Sequence, residues 1–80
     1  MILKIPLLYG PVNFYCSVYR QNIREYNAKT LYTDEQLEPL KNLFEEIGID
    51  AALSTGTFRI YIQFKTNEDE YKALFHFGEL

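Results

Sequence analysis

The sequence predicts a single α+β domain over residues 1–80, in which two helices pack on one face of a four-stranded antiparallel sheet. Three observations predict it. Apolar residues alternate with polar ones in two separate segments, an apolar stripe of helical period lies between those segments, and a helix-start pattern follows the second one. The predicted order is therefore β-β-α-β-β-α, with the other face of the sheet left uncovered.

The composition of the chain agrees with one folded domain and indicates the cellular compartment in which it is expected. Hydrophobic residues make up 48% of the 80 residues, with six Phe and seven Tyr, which suits a dense core in so small a domain. Cys16 is the only cysteine, so no intramolecular disulfide can form and a reducing, cytoplasmic location is expected. The N-terminal run lacks the features of a signal peptide, and no apolar stretch approaches the roughly 20 residues that span a bilayer.

The first alternation predicts the second strand of a β-hairpin. The Gly10-Pro11 pair precedes it as a turn, and the mainly apolar residues 2–9 supply the first strand. Its apolar positions are expected to face the core. They are Val12, Phe14, Cys16 and Val18.

A helix over residues 11–27 is the competing interpretation of this segment, and it would give a ferredoxin-like order. Pro11 suits a first helical position, and five side chains follow at spacings of three and four residues. The strand is preferred because the alternation recurs around Tyr61 and because Phe, Tyr and Val favour strands. Residues 20–32 are open to strand, helix or loop. The five side chains are Val12, Tyr15, Tyr19, Ile23 and Tyr26.

The first helix is predicted between the two alternations. Thr33 and Gln36 have the spacing of a capping box, and Gly48 is a suitable C-terminal stop. Because Pro39 is tolerated only in a first turn, the regular helix should begin near Gln36 or follow a separate turn. Its apolar stripe consists of Leu37, Leu40, Phe44 and Ile47.

The second alternation predicts a second hairpin, followed by a short helix. Residues 49–53 form the first strand of that hairpin, and Thr55-Gly56 form its turn. Asn67 followed by three acids is typical of a helix start, because carboxylates stabilise the positive N-terminus. The inward residues of the second strand should be Phe58, Ile60, Ile62 and Phe64, and the helix should present Tyr71, Leu74 and Phe75 on one face.

Few residues of the chain suit catalysis. His76 is the only histidine and lies between two phenylalanines, with no nucleophile or carboxylate at a motif spacing. Cys16 falls on the apolar side of its strand, as expected of a small core residue rather than a reactive thiol. One histidine and one cysteine do not make a zinc site. We therefore predict no enzyme activity, no metal and no cofactor.

The polar side of the two predicted strands is the candidate partner-binding site. If Ile60 and Ile62 face the core, the residues between them face the other way. Tyrosine and arginine are enriched at binding hot spots, because each combines a large contact area with a polar end that tolerates water. The predicted site contains Tyr15, Tyr19, Arg59 and Tyr61, joined by Arg20, Arg24 and Tyr26 from the segment after the first alternation.

Charge favours a protein as the partner. The net charge is −3 and the pI about 5.0, whereas nucleic-acid-binding modules of this size are normally basic. Four basic residues oppose one acid in residues 1–33, and four oppose ten in residues 34–80. A non-enzymatic protein-binding module or inhibitor is predicted. The alternatives are a single-stranded nucleic-acid-binding domain with bases stacked on the tyrosines, a homo-oligomer, and docking through the acidic helices.

Three short stretches carry a family resemblance: ILKI at residues 2–5, NFYCSVY at residues 13–19, and the helix entry TDEQLE at residues 33–38. In these stretches and in its short, acidic α+β layout, the chain resembles small phage-encoded inhibitors of the anti-CRISPR kind. Those proteins block a host nuclease complex by binding it, often through tyrosine and charged side chains. The resemblance implies an inhibitor of a protein or nucleoprotein complex. It names no target and transfers no functional residue.

Overall fold

The computed structural model describes residues 2–6 and 13–79, which form a sheet and two helices. The elements in chain order are β1 (Ile2–Pro6), β2 (Asn13–Arg20), β3 (Ile23–Asn27), α1 (Asp34–Glu46), β4 (Ala51–Gly56), β5 (Arg59–Phe64), α2 (Asn67–Phe77) and β6 (Gly78–Glu79). The strands form one antiparallel sheet in the order β4-β5-β3-β2-β1-β6, and β6 has only two residues.

The core lies between the two helices and one face of the sheet. Helix α1 lies against β4, and α2 lies against β1 and β5. Alternate residues of β1 and β5 point into this core, as the strand period requires. Each large apolar side chain removed from water contributes roughly 1.5–3 kcal/mol. The largest fully buried side chains are Phe44, Leu3, Ile5, Leu37, Ile60, Ile62 and Cys16.

The α+β class with two helices is confirmed, but the predicted four strands in the order β-β-α-β-β-α are wrong. Strand β3 lies within residues 20–32, and it is inserted between the two predicted hairpins, paired to β2 on one side and to β5 on the other. A two-residue turn at Gln21 and Asn22 makes this possible. Asn22 has a φ of 62°, in the left-handed region that asparagine tolerates and that tight hairpin turns require.

The alternative helix over residues 11–27 is also wrong, since β2 and β3 occupy residues 13–20 and 23–27. Tyr15, Tyr19 and Ile23 do share a face, but it is a face of the sheet. Strand alternation puts Tyr15 and Tyr19 on the same side, and the turn after β2 brings Ile23 to that side as well. The spacing of three and four residues thus resembled a helical period. Pro11, Val12 and the Gly10-Pro11 turn lie outside the described residues.

The predicted inward positions of β2 and β5 are confirmed only in part. Cys16, Ile60, Ile62 and Phe64 are buried, while the Phe14 side chain lies outside the described part of the structure. Val18 is 67% exposed because the inner face of the sheet extends past the area that the helices cover. Phe58 is 49% exposed. The second hairpin turns at Thr57 and Phe58, two residues later than the predicted Thr55-Gly56, since Gly56 still pairs with Arg59.

Helix α1 begins with the predicted capping box. The Gln36 backbone N–H donates to Thr33 Oγ1 at 3.3 Å, and the Thr33 N–H donates to Gln36 Oε1 at 2.9 Å. Leu37, Leu40 and Phe44 are buried as predicted. The expectation that the regular helix starts near Gln36 is wrong, because the helix runs unbroken from Asp34 through Pro39. Because Pro39 has no N–H, the carbonyl of Glu35 loses its usual helical hydrogen bond. Glu35 is exposed, so water can bond to that carbonyl instead, which limits the loss of stability.

Helix α2 faces the core differently from the prediction. Tyr71 is 65% exposed and Phe75 is 85% exposed, while Ala73 is buried and Leu74 and Phe77 are packed against the core. Asp69 is buried on the same side as Ala73. The first turn of the helix therefore sets its rotation, through the bonds that Asp69 makes.

Asp69 connects the start of α2 to the start of β4. Its Oδ1 accepts the backbone N–H of Asp50 at 3.1 Å, and its Oδ2 accepts the Thr66 hydroxyl at 2.8 Å. The Asp69 N–H donates in turn to Thr66 Oγ1 at 3.2 Å. The Asp50 N–H, followed by the Thr66 hydroxyl and the charge of Lys72, lowers the pKa of Asp69 against the opposing effect of burial.

We predict that Asp69→Asn lowers the free energy of unfolding at neutral pH by about 1–3 kcal/mol, because it removes charge-assisted hydrogen bonds from a buried carboxylate. Since the folded-state pKa is lowered, the stabilisation is present above the unfolded-state pKa near 3.8 and is lost as pH falls through the folded-state pKa. Urea unfolding at several pH values measures both effects. Glu68→Gln, at the exposed neighbouring position, is the control. An equal loss in the two variants, or a difference from the parent that persists in acid, would contradict this.

Candidate functional site

The face of the sheet opposite the helices carries most of the predicted site. Directly opposed residues of paired strands point to the same side. One row of outward residues crosses four strands, from Ser54 to Tyr61, Glu25 and Ser17. A second, parallel row runs from Ala52 to Gln63, Ile23 and Arg20. We call this surface the open face.

Tyr19, Tyr61 and Arg20 form a compact group on the open face. The ring centroids of Tyr19 and Tyr61 are 5.4 Å apart, at an interplanar angle of 43°. The Arg20 guanidinium carbon lies 5.4 Å from the centre of the Tyr19 ring, within cation–π range. The register shift at the end of β2 produces this group, because it leaves Tyr19 and Arg20 together opposite Ile23.

Arg59 is held in place on the same face by β3. Its Nη1 donates to Glu25 Oε1 at 3.3 Å and also to Asn27 Oδ1. Tyr61 is tied to the same carboxylate: loss of hydration, then a hydrogen bond to Glu25, raise the pKa of Tyr61. Glu25 therefore links Arg59 to the tyrosine pair on the outward side of β5.

Tyr15 extends the open face toward β1. It lies two residues before Ser17 on β2, pairs with Lys4 across the β1–β2 ladder, and is 52% exposed. Tyr15, Tyr19, Arg20, Arg59 and Tyr61 thus all lie on the side of the sheet that the helices leave uncovered.

Arg24 does not join them, and its predicted outward placement is wrong. It is 6% exposed, sits opposite Ile62 on the inner face, and its Nε donates to Glu70 Oε2 of α2 at 2.8 Å. Tyr26, opposite Ile60, also packs against the core. In the register with which β3 pairs to β2 and β5, Arg24 and Tyr26 lie on the inner face, and Ile23 and Glu25 lie on the open face.

We predict that Arg24→Met lowers the free energy of unfolding by about 3–5 kcal/mol, since it leaves the Glu70 charge buried without this partner. The double variant Arg24→Met/Glu70→Leu should recover most of that loss, because no buried charge then remains at the pair. Urea unfolding measures all variants. Arg59→Met, which breaks the more exposed pair with Glu25, is the control and should cost less than about 1 kcal/mol. Equal losses for Arg24→Met and Arg59→Met would refute this account.

Charge separates between the two layers of the molecule. Among the side chains that the structure describes, the open face carries Lys4, Arg20 and Arg59 against Glu25. The two helices carry eight acidic residues against two lysines. The unequal charge of the two halves of the sequence therefore becomes a difference in charge between two surfaces of the molecule.

The sequence did not predict two apolar depressions on the surface. A hollow of about 290 Å³ on the open face is lined by Tyr19, Ile23, Ala52, Ser54, Tyr61 and Gln63. On the outer side of α2, Tyr71 and Phe75 line a cleft of about 400 Å³ together with Glu68, Lys72 and His76. The small residues Ala52 and Ser54 were the one feature of the sequence that could have indicated the hollow. Its position depends on how the strands are aligned with one another, and the sequence pattern did not predict that alignment.

Cys16 is a core residue, as its place in the alternation predicted. It is 1% exposed, and burial raises the pKa of its thiol to about 12 despite the opposing charge of Arg24. His76 packs its ring near Phe75 and Phe77. Within residues 2–6 and 13–79, no group of three His, Cys, Asp or Glu side chains is arranged to hold a metal ion, and no helix is long and apolar enough to cross a membrane.

We predict that the Cys16 thiol of the native protein reacts at least about 100-fold more slowly with a disulfide reagent near pH 8 than the thiol of the denatured chain, because only the thiolate attacks. Absorbance of the released thiolate measures both rates. Rapid reaction of the folded protein would show that the Cys16 thiol is accessible, and Cys16 would then be a candidate nucleophile.

Comparison with known proteins finds no family model, no curated protein and no solved structure that matches the chain.

Proposed function

We propose that this protein is a non-enzymatic binding module that docks onto another protein through the open face, and that it acts as an inhibitor by occupying its partner. The observation that carries the proposal is the group of tyrosine and arginine side chains on the face that α1 and α2 leave uncovered. Tyr19 and Tyr61 lie 5.4 Å apart, and Arg59 is held by Glu25 and Asn27.

Order in the free state favours binding. Docking normally costs about 0.5–1.5 kcal/mol for each long side chain that becomes immobile. Arg59 already has two hydrogen-bond partners, and Arg20 already lies over Tyr19. Much of that cost has thus been met within the fold. Tyrosine and arginine side chains arranged in this way are typical of the residues that dominate affinity at protein interfaces.

A protein partner suits this face better than nucleic acid does. Glu25 lies among the basic residues of the face and would oppose phosphate, and the helix layer is strongly acidic. A single-stranded nucleic acid stacked on Tyr15, Tyr19 and Tyr61 is the second candidate, favoured by those rings and by the excess of basic over acidic side chains on the face. The resemblance to small phage-encoded inhibitors makes a host nucleoprotein complex in the cytoplasm the first partner to test.

We predict that replacing Tyr15, Tyr19, Arg59 and Tyr61 together by alanine weakens partner binding more than about tenfold, because hot-spot residues dominate interface energies. The tagged protein is used to isolate its partner from host or phage-infected cells, and the purified pair is then measured by calorimetry. Phe75→Ser, an exposed aromatic on the opposite layer, is the control.

Three results would count against this proposal. Unchanged binding by the quadruple variant, with loss in variants of the acidic helices, would move the interface to the helix layer. Binding of a single-stranded oligonucleotide that weakens steeply with salt would favour the second candidate. A stable oligomer in sedimentation that the quadruple variant dissociates would make the face a contact between copies of the chain.

A further inference from the structure

We propose that the hollow on the open face receives one aromatic side chain from an acidic segment of the partner protein. This rests on the proposed function and adds to it the chemistry of the partner. The hollow lies between β4 and the end of β2, and its lining combines the small residues Ala52 and Ser54 with the larger Tyr19, Ile23 and Tyr61.

The shape of the hollow follows from three sequence features. Ala52 and Ser54 are the outward residues of β4, and both are small and exposed. Ile23 follows the two-residue turn, and the register shift in β2 brings the Tyr19 ring to its side. The result is a recess of about 290 Å³ between larger neighbours. A recess of this volume has room for one large aromatic side chain.

The walls of the hollow favour an aromatic occupant. Tyr19 and Tyr61 are tilted against each other at 43°, and a third ring can pack against them at the centroid distances of about 4.5–7 Å that aromatic pairs prefer. The Ala52 methyl group and the Ile23 side chain give it an apolar base and side. Ser54 and Gln63 are the polar groups of the lining, so a tyrosine or phenylalanine can be accommodated.

The charges beside the hollow favour an acidic segment. Both hydrogen bonds of Arg59 use Nη1, so its Nε and Nη2 donors make no bond to the described residues. Arg20 is exposed and, among the described residues, has no acidic partner. Carboxylates on both sides of the inserted ring would meet these two guanidinium groups, whereas lysines there would be repelled.

The test uses three blocked tripeptides as probes: phenylalanine between two aspartates, alanine between two aspartates, and phenylalanine between two lysines. Backbone amide shifts of the isotope-labelled protein are followed by NMR as each peptide is added. The first peptide should shift the amides of Ala52, Ser54 and Tyr61 with a dissociation constant on the order of 1 mM, and the other two should bind at least about fivefold more weakly. Equal binding of the three peptides, or no shift at these amides, would overturn the proposal.

Two variants separate the hollow from the rest of the face. Ala52→Phe fills the hollow and Ser54→Leu narrows it, while both leave every tyrosine and arginine of the face in place. Both should abolish the peptide shifts, and Tyr71→Ser on α2 should not. Unfolding by urea verifies that each variant is folded, and the second variant decides the matter if the first does not fold. Retained peptide binding by a folded hollow-filling variant would refute the inserted aromatic.

With the isolated partner, Ala52→Phe should weaken binding by more than about tenfold. If the quadruple alanine variant loses the partner while Ala52→Phe keeps it, the open face is the interface and the aromatic anchor is wrong. If both keep it, the proposed function fails as well. Phe75 of a second copy is the other aromatic that could enter the hollow. A dimer in sedimentation that Phe75→Ser and Ala52→Phe each dissociate would therefore overturn the assignment to a partner protein.

Discussion

Two helices can cover only one face of a sheet this wide, and the rest of the structure depends on that constraint. Each central strand must place apolar or fully paired residues on one side and water-compatible residues on the other. Strand β5 does so by strict alternation, with Ile60 and Ile62 inside and Tyr61 between them outside. Strand β3 does so with charges on both sides, as Arg24 is buried against Glu70 and Glu25 pairs with the half-exposed Arg59 on the open face.

The two ion pairs of β3 have different effects because their surroundings differ. The Arg24–Glu70 pair is almost inaccessible, so it fixes how α2 lies on the sheet: any other placement would leave a charge without its partner. In the Arg59–Glu25 pair the arginine side chain is half exposed, so the pair adds less to stability than the Arg24–Glu70 pair does. What it provides is order among long side chains. Strand β3 therefore binds helix α2 through Arg24 and orders side chains of the open face through the next residue, Glu25.

The sequence was sufficient to predict the class, both hairpins, both helices and most of the exposed tyrosines, because these depend on local periodicity and capping. It was insufficient for β3, a five-residue strand that contains two charged residues and has little apolar alternation. Arg24 was misplaced because its partner is 46 residues away, and the hollow was missed because Ala52, Ile23 and Tyr61 meet only through register. The buried side of α2 was also mispredicted. It includes Asp69, which bonds to the backbone of Asp50, 19 residues away, and such a distant contact leaves no local pattern in the sequence.

The separation of the two layers bears on how the protein can change over time. Residues that hold the fold together, such as Arg24, Asp69 and the side chains between helices and sheet, face inward, while the open face contributes little to the free energy of folding. Substitutions there can accumulate without unfolding the chain. The scaffold can therefore persist while the side chains of its open face change, so among descendants of this sequence the inner residues would preserve ancestry and the outer ones would diverge.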